Sequence, residues 1–394
     1  MQRDFHYYGT YCAAFLAGYS HEESMDLCYS AEFVDRCSKT FLASIEAPEN
    51  AATTMLALEM ANARTDIIGL QDITRIWSSF HFLPYDLYAD PGKGGKRYKN
   101  KYRLICRPNG ELLKRTVDQA KGHSLQAIGI AMHVLADTWA HAYFAGTPSF
   151  AINNVSDNLV EIVGEGSEAF ERPIAFRHNP LVPDDVEEGQ YTNSIFQPSE
   201  NTVMNLGHGR AGHLPDYSFC RYRYLPAWGD YEEIVKDNPT EYYKAFCQMV
   251  YALEFMRGKH DEFKTHTYAT STVEPWKSTI ESFLRKRQLS AVDDWRNLGE
   301  SLSGQSIEEF DIHKYMDEYV GAAPEAKDET FLGRYILAAL AQKSLITHCI
   351  YASGSLLAGF SIDYHESGIG GIKDYLLLLK HLGGASNDHA SKAR

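Results

Sequence analysis

One segment constrains this chain more than any other: residues 127–146, AIGIAMHVLADTWAHAYFAG. Leu125, Ile128, Ala131, Met132, Leu135 and Trp139 recur close to every 3.6 residues, which predicts a long helix over 114–145. Into that apolar helix are set His133, Asp137 and His141, spaced i, i+4, i+8. Each step of four drifts about 40° around an α-helix, so the three side chains share a stripe roughly 80° wide and about 12 Å long. Burying three such groups without partners is costly. Imidazole and carboxylate are common ligands of zinc and similar ions. One ion cannot easily take all three over that length, whereas two neighbouring ions can, with Asp137 between them. The competing explanation is structural: His133 and His141 hydrogen-bonded to backbone carbonyls.

Further ligands have to come from distant segments. Asp35 ends an otherwise apolar helical face, AEFVD, and His81 stands in the apolar stretch SSFHFLP, where a buried core histidine is the plain alternative. The segment GHGRAGHLPD places His208, His213 and Asp216 within ten residues. Its glycines permit close backbone approach and its proline restricts the turn. His6, in RDFHYY beside Asp4, is a further candidate.

Charge agrees with a cation-binding role. The net charge is −14, which disfavours extended nucleic-acid binding. Two or three divalent ions offset roughly four to six negative charges by valence alone. The seven cysteines are scattered, with no C-x-x-C pair, so neither a disulfide framework nor a thiolate zinc site is expected. No window approaches 18 consecutive apolar residues, and MQRDFHYYGTYC has no signal-peptide pattern. The expectation is a cytoplasmic protein.

The fold class read from the chain is mainly α. Helices are expected at 5–18 and 22–37, with Gly18 closing the first and Ser20 and Glu23 forming a capping box for the second. Further helices are expected at 48–64, 239–258, 275–288, 290–302, 307–319, 329–357 and 369–382. Residues 86–110 read as an exposed basic insert, with a hairpin as one form, and 146–235 as a long irregular region. A loop that long inside a compact domain is usually functional. The domain reading is a metal-binding core over 1–235 and C-terminal helices over 236–382 that pack behind it or form a homodimer surface. A single domain is the alternative, and 383–394 is a frayed tail.

The order of these residues resembles the zinc-dependent phospholipase C and S1/P1 nuclease superfamily, over roughly residues 1–220. FHYY, FHFLP, HVLADTWAH and GHGxxGHLPD resemble a less characterised branch of it. The resemblance implies an all-helical fold with a zinc cluster. It implies that Asp35, His81, His133 and Asp137 hold one ion, and that Asp137 bridges to a second held by His141, His213 and Asp216. His6 would serve a third, and His208 is an additional candidate ligand. This chain departs from the pattern in three places. His141 follows Asp137 by four residues rather than six. Pro215 interrupts the closing His–acid pair. Met1 stands where the family has a mature N-terminal Trp whose amine and carbonyl bind an ion. Two ions are therefore the expectation, with zinc as the metal and iron or manganese as alternatives.

Such a cluster suggests hydrolysis of a phosphoester in a small molecule, lipid head group or nucleotide, with Asp35 or Asp137 orienting the attacking water. The segment RYRYLPAW supplies Arg221 and Arg223 as candidate phosphate-binding catalytic residues, against the alternative of surface arginines and packed tyrosines. The basic run from Lys93 to Arg103 reads as a solvated loop. An amide or ester hydrolase, a redox metalloenzyme and a purely structural metal site are the competing readings. His348, His365 and Glu366 carry no role.

Overall fold

A computed structural model describes residues 1–355 apart from 64, 156–157, 178–181 and 194–204. The chain is mainly helical, organised around one helix, Leu125–Ala140, buried along nearly its whole length. Three long helices pack on it: His21–Phe33, Asn238–Met256 and Phe331–Ala352. Glu111–Ala120 lies against it too. Each fully buried Leu, Ile or Met on such a helix contributes about 1.5–3 kcal/mol. One contiguous buried cluster runs from Met1 and Phe5 through Met132 and Leu135 to Tyr335 and Ile350.

Local rules account for many helix ends. Ser20 accepts from Glu23 N while the Glu23 carboxylate takes Ser20 N, a complete capping box. Gly18 closes the Thr10–Ala17 helix in the left-handed region, φ 99°. That helix continues a π-helical turn, Asp4–Gly9, which carries His6.

Other expectations are corrected. The helix expected over 114–145 is two helices, Glu111–Ala120 and Leu125–Ala140. Gly122 takes φ 77° between them, and Ser124 caps the second by accepting from Ala127 N. Residues 48–64 shorten to a turn at Glu49–Ala51 and a helix at Ala57–Ala63, because Thr53 between them bonds Val34 O and Cys37 O. The basic insert contains a helix, Lys96–Tyr102, and no hairpin. The 307–319 helix reduces to Met316–Gly321. A helix at Ile67–Phe80, capped by Asp66, was not anticipated although its isoleucines fall at helical spacing. The expected helix at 369–382, the tail, His365 and Glu366 lie outside the described residues.

Among the described residues, the region read as irregular, with its border to 237, contains six short strands. Val160–Val163 (β1), Phe170–Pro173 (β2), Arg221–Tyr224 (β5) and Ile234–Asp237 (β6) form an antiparallel sheet ordered β2-β1-β5-β6. Ala175–Arg177 (β3) and Gln190–Thr192 (β4) pair in parallel. The sheet is joined to the central helix by Lys236, whose Nζ donates to Trp139 O at 2.8 Å. A lysine on a last-turn carbonyl also favours the negative end of the helix. β6 then runs directly into Asn238–Met256. No helix among the described residues is long and apolar enough to cross a membrane.

Candidate metal centre

The central helix presents His133 and Asp137 one turn apart, and His141 is its C-cap. The neighbouring elements bring their polar groups to the same place. Asp35 stands just beyond the His21–Phe33 helix, and His81 caps the Ile67–Phe80 helix. His6 arrives on the N-terminal π turn, fixed because Asp4 accepts from Phe5 N and Ala291 N, both at 2.8 Å. Asp4 thus serves the backbone. The 207–216 loop folds against Phe82, whose ring stacks on His141 with centroids 4.7 Å apart. A side chain at Gly207 would place its Cβ 2.2 Å from Phe82, and φ there is 53°. Glycine is therefore required for the approach. The end of the loop is anchored by Tyr242, which donates to Asp216 O at 2.8 Å, and by Asn238, which donates to Leu214 O and Tyr217 O.

Asp137 is the hub. Its Oδ2 lies 3.1 Å from His133 Nε2, 3.3 Å from His81 Nδ1 and 3.5 Å from His141 Nδ1. Its Oδ1 lies 2.7 Å from the Met1 amine and 3.1 Å from His6 Nε2. Asp216 faces His141 Nε2 at 3.2 Å, His213 Nδ1 at 3.2 Å and His208 Nε2 at 3.6 Å. Asp35 approaches His81 at 3.7 Å and His133 at 4.0 Å.

The hydrogen bonds fix the tautomers. His133 Nδ1 faces Ala31 O at 2.9 Å, and His81 Nε2 faces Thr53 O at 3.0 Å. His141 Nδ1 faces His81 O at 2.8 Å, and His208 Nδ1 faces Gly212 O at 2.7 Å. A carbonyl can only accept, so each of these nitrogens carries the proton. The opposite nitrogen of each neutral ring then presents a bare lone pair towards carboxylate oxygens, and His133 Nε2 faces His81 Nδ1 at 3.3 Å. Acceptors opposed at such distances repel unless a proton or a metal ion lies between them. The expected carbonyl bonds are thus present, and they account for only one nitrogen of each ring. His6 is fully buried; its Nε2 faces Asp137 Oδ1 at 3.1 Å, and its Nδ1 has no hydrogen-bond partner among the described residues.

The electrostatics describe the same demand. Burial pushes the Asp137 carboxyl up, yet His141, the Met1 amine, His133 and His6 outweigh it and hold it well below the usual carboxylate range. Asp216 is likewise held well below, against burial, by His208, the Met1 amine and its hydrogen bonds. Burial, then the charge of His133, pushes His6 down to about 3. Burial pushes His208 down to about 4. Against burial, its hydrogen bond to Asp137 pushes His81 up, and the hydrogen bond to Asp216 pushes His213 up. His6 and His208 thus offer unprotonated imidazoles beside the ionised Asp137 and Asp216, a donor set a divalent ion takes.

Among the described residues, three groups have ligand atoms within 4.8 Å of one another: His6, His133 and Asp137; Asp35, His81 and His133; His141, His208 and Asp216. This grouping differs from the one the resemblance implies. His208 joins His141 and Asp216, while His213, with its side chain 56% exposed, stands at the rim. His6 shares His133 and Asp137 instead of marking a separate place. The structure does not bring Arg221 and Arg223 into the cluster. On β5, Arg221 donates to Gly164 O, and Arg223 is paired with Glu171 and Glu233. The basic insert is solvated, with Lys99 on Asp90 and exposed Lys93 on Asp230. His348 is exposed on the Phe331–Ala352 helix. The group that residue patterns missed is the Met1 amine, 3.2 Å from His141 Nε2; only the resemblance pointed to a terminal amine.

The centre opens on one side into a cleft of about 490 Å³, lined by Met1, Asp35, His213 and Asp216 together with Arg3 and Arg36. That volume suits a small molecule.

Fold and site together define a mainly helical protein with a buried histidine–carboxylate centre suited to divalent cations. The chain belongs to the family of unknown function DUF6765, whose model matches residues 1–350. No curated protein and no solved structure matches it.

Proposed function

We propose that this protein is a metal-dependent hydrolase, whose histidine–carboxylate cluster around Asp137 would hold two zinc-type ions. One observation carries the reading: four imidazoles are each locked by a backbone carbonyl so that the free nitrogen faces Asp35, Asp137 or Asp216. Backbone partners of this kind orient metal-ligating histidines and raise their basicity. Asp35, His81, His133 and His6 would hold one ion together with Asp137, and His141, His208 and Asp216 would hold the other. Divalent ions held by these residues would supply Lewis acidity, activating water and neutralising a substrate oxygen.

This chain's own groups do the rest. Asp35 and Asp216 line the cleft and can orient a water there by accepting its hydrogen bond. Phe82 and Trp77 wall the histidines from solvent. A phosphoester is the preferred bond, and the order of site residues supports a fold related to the phospholipase C and P1 nuclease group.

The test is metal content by mass spectrometry with turnover of a phosphodiester probe. Wild type should hold two divalent ions and lose turnover with chelator. Asp137→Asn should lose at least about 100-fold in metal affinity, as its carboxylate stands at the centre of the cluster. Full turnover in metal-free Asp137→Asn protein would refute the reading. Metal that raises thermal stability without turnover of any ester would leave the structural reading in its place.

A further inference from the structure

We infer that Arg3 and Arg36 form the anion-recognition element of this centre and receive a phosphate group of the substrate. The inference rests on the hydrolase reading above and names what that site selects.

Both arginines line the same cleft as Met1, Asp35, His213 and Asp216. Arg3 is exposed and makes no salt bridge or hydrogen bond among the described residues. It begins the π turn that carries His6, so its backbone is tied to the cluster. Arg36 is held differently. Its Nε and Nη2 donate to the same oxygen of Glu32, at 3.1 and 2.9 Å, which fixes the guanidinium plane while the side chain stays 46% exposed. Nη1 has no hydrogen-bond partner among the described residues. Glu32 is fully buried, and its other oxygen is unpartnered. It therefore works as a clamp on Arg36.

The charges say which ligand fits. The cleft floor is carboxylate, yet neither arginine pairs with it among the described residues: Arg36 is turned to Glu32, and Arg3 makes no ion pair. Two divalent ions would offset the carboxylates of Asp4, Asp35, Asp137 and Asp216 by about four charges and leave the two arginines as the excess positive charge, a site for an anion. Guanidinium groups match phosphate oxygens with paired, planar donors, and a preorganised one loses less entropy on binding. Around the rim, Ser290 and Val292 leave a small neutral wall for the rest of the molecule. The ligand class is a small phosphate ester with at least one anionic oxygen free of the metals.

The test is calorimetric titration of inorganic phosphate into metal-loaded wild type, Arg3→Gln and Arg36→Lys, with metal content measured on the same samples. Each substitution should weaken phosphate binding about tenfold while metal content stays at the wild-type value, since a charge-assisted hydrogen bond is worth about that factor. Equal affinity in wild type and both variants overturns the inference alone. A metal-loaded wild type that binds no phosphate does the same. A wild type that holds no metal overturns the hydrolase reading and the inference together. Should Arg36→Lys fold poorly because Glu32 loses its clamp partner, Arg3→Gln decides the matter, as its side chain stands in solvent.

Discussion

The residue that most directly connects packing to this site is a glycine. Gly129 lies one turn before His133, on the face of the central helix that meets His21–Phe33. A Cβ there would stand 2.6 Å from Leu27 O, 2.6 Å from Ser30 Cβ and 3.2 Å from Ala31 N. Ordinary contact begins at 3.4 Å, so Gly129→Ala must part the two helices by about 0.8 Å. No flexible side-chain end is available to give way, because the obstacles are backbone atoms and a Cβ. The same movement takes Ala31 O away from His133 Nδ1, stretching a 2.9 Å hydrogen bond towards about 3.7 Å, beyond bonding distance. Alanine gains about 1 kcal/mol of helix propensity over glycine. Overpacking costs about 1–3 kcal/mol, and the lost bond adds about 0.5–1.5 kcal/mol. The net expectation is a loss of about 1–3 kcal/mol, read by urea unfolding of the metal-free protein. Metal affinity should fall about 10- to 100-fold, as when an outer partner of a ligating histidine is removed. A Gly129→Ala protein as stable as wild type, with unchanged metal affinity, would refute the geometry on which this rests.

Ser20→Ala is the companion control: it breaks the capping box and should cost about 1 kcal/mol. Metal affinity should stay the same, and a parallel loss would show that the Gly129→Ala effect is general instability. A separate prediction concerns pH. Lys343 is 4% exposed, and burial, with only partial relief from Asp72, pushes its amine down to about 7. The unfolded amine titrates near 10.4. Between these values the unfolded state binds more protons, so this group makes stability rise with pH from about 7 to about 10. Lys343→Met should remove that rise and stabilise the protein at pH 6; identical pH profiles for the two proteins in urea unfolding would contradict it.

Several features of the fold and site were legible in the chain because their causes are local. Ser20, Glu23 and Gly18 mark helix ends through groups three or four residues away. His133, Asp137 and His141 lie on one helical stripe because the period of the α-helix places them there. The strands were not legible. Each of the six is three or four residues long, too short to display an alternation, and β1 finds its partner β5 some sixty positions on. The break at Gly122 was hidden for another reason: apolar residues continue in phase on both sides, and only the left-handed glycine and the Ser124 cap reveal it.

At the site itself, the residues alone determined the chemistry on offer: histidine and carboxylate on an apolar helix, with more of the same in distant segments. Tertiary structure decided which of these meet. His208 and His213 stand five residues apart in one glycine-rich loop, and nothing in their neighbours separates them. Gly207 and Gly212, both at positive φ, turn the loop onto Phe82, so that His208 closes on His141 while His213 is left at the rim. Arg221 and Arg223 suit phosphate by residue type, but the sheet ties Arg221 to Gly164 O and pairs Arg223 with Glu171 and Glu233. Ring tautomers, too, depend on which carbonyl each imidazole meets, and Ala31, Thr53, His81 and Gly212 supply those from four separate places in the chain. Donor type is a property of the side chain, while coordination is a property of distances that only long-range packing sets.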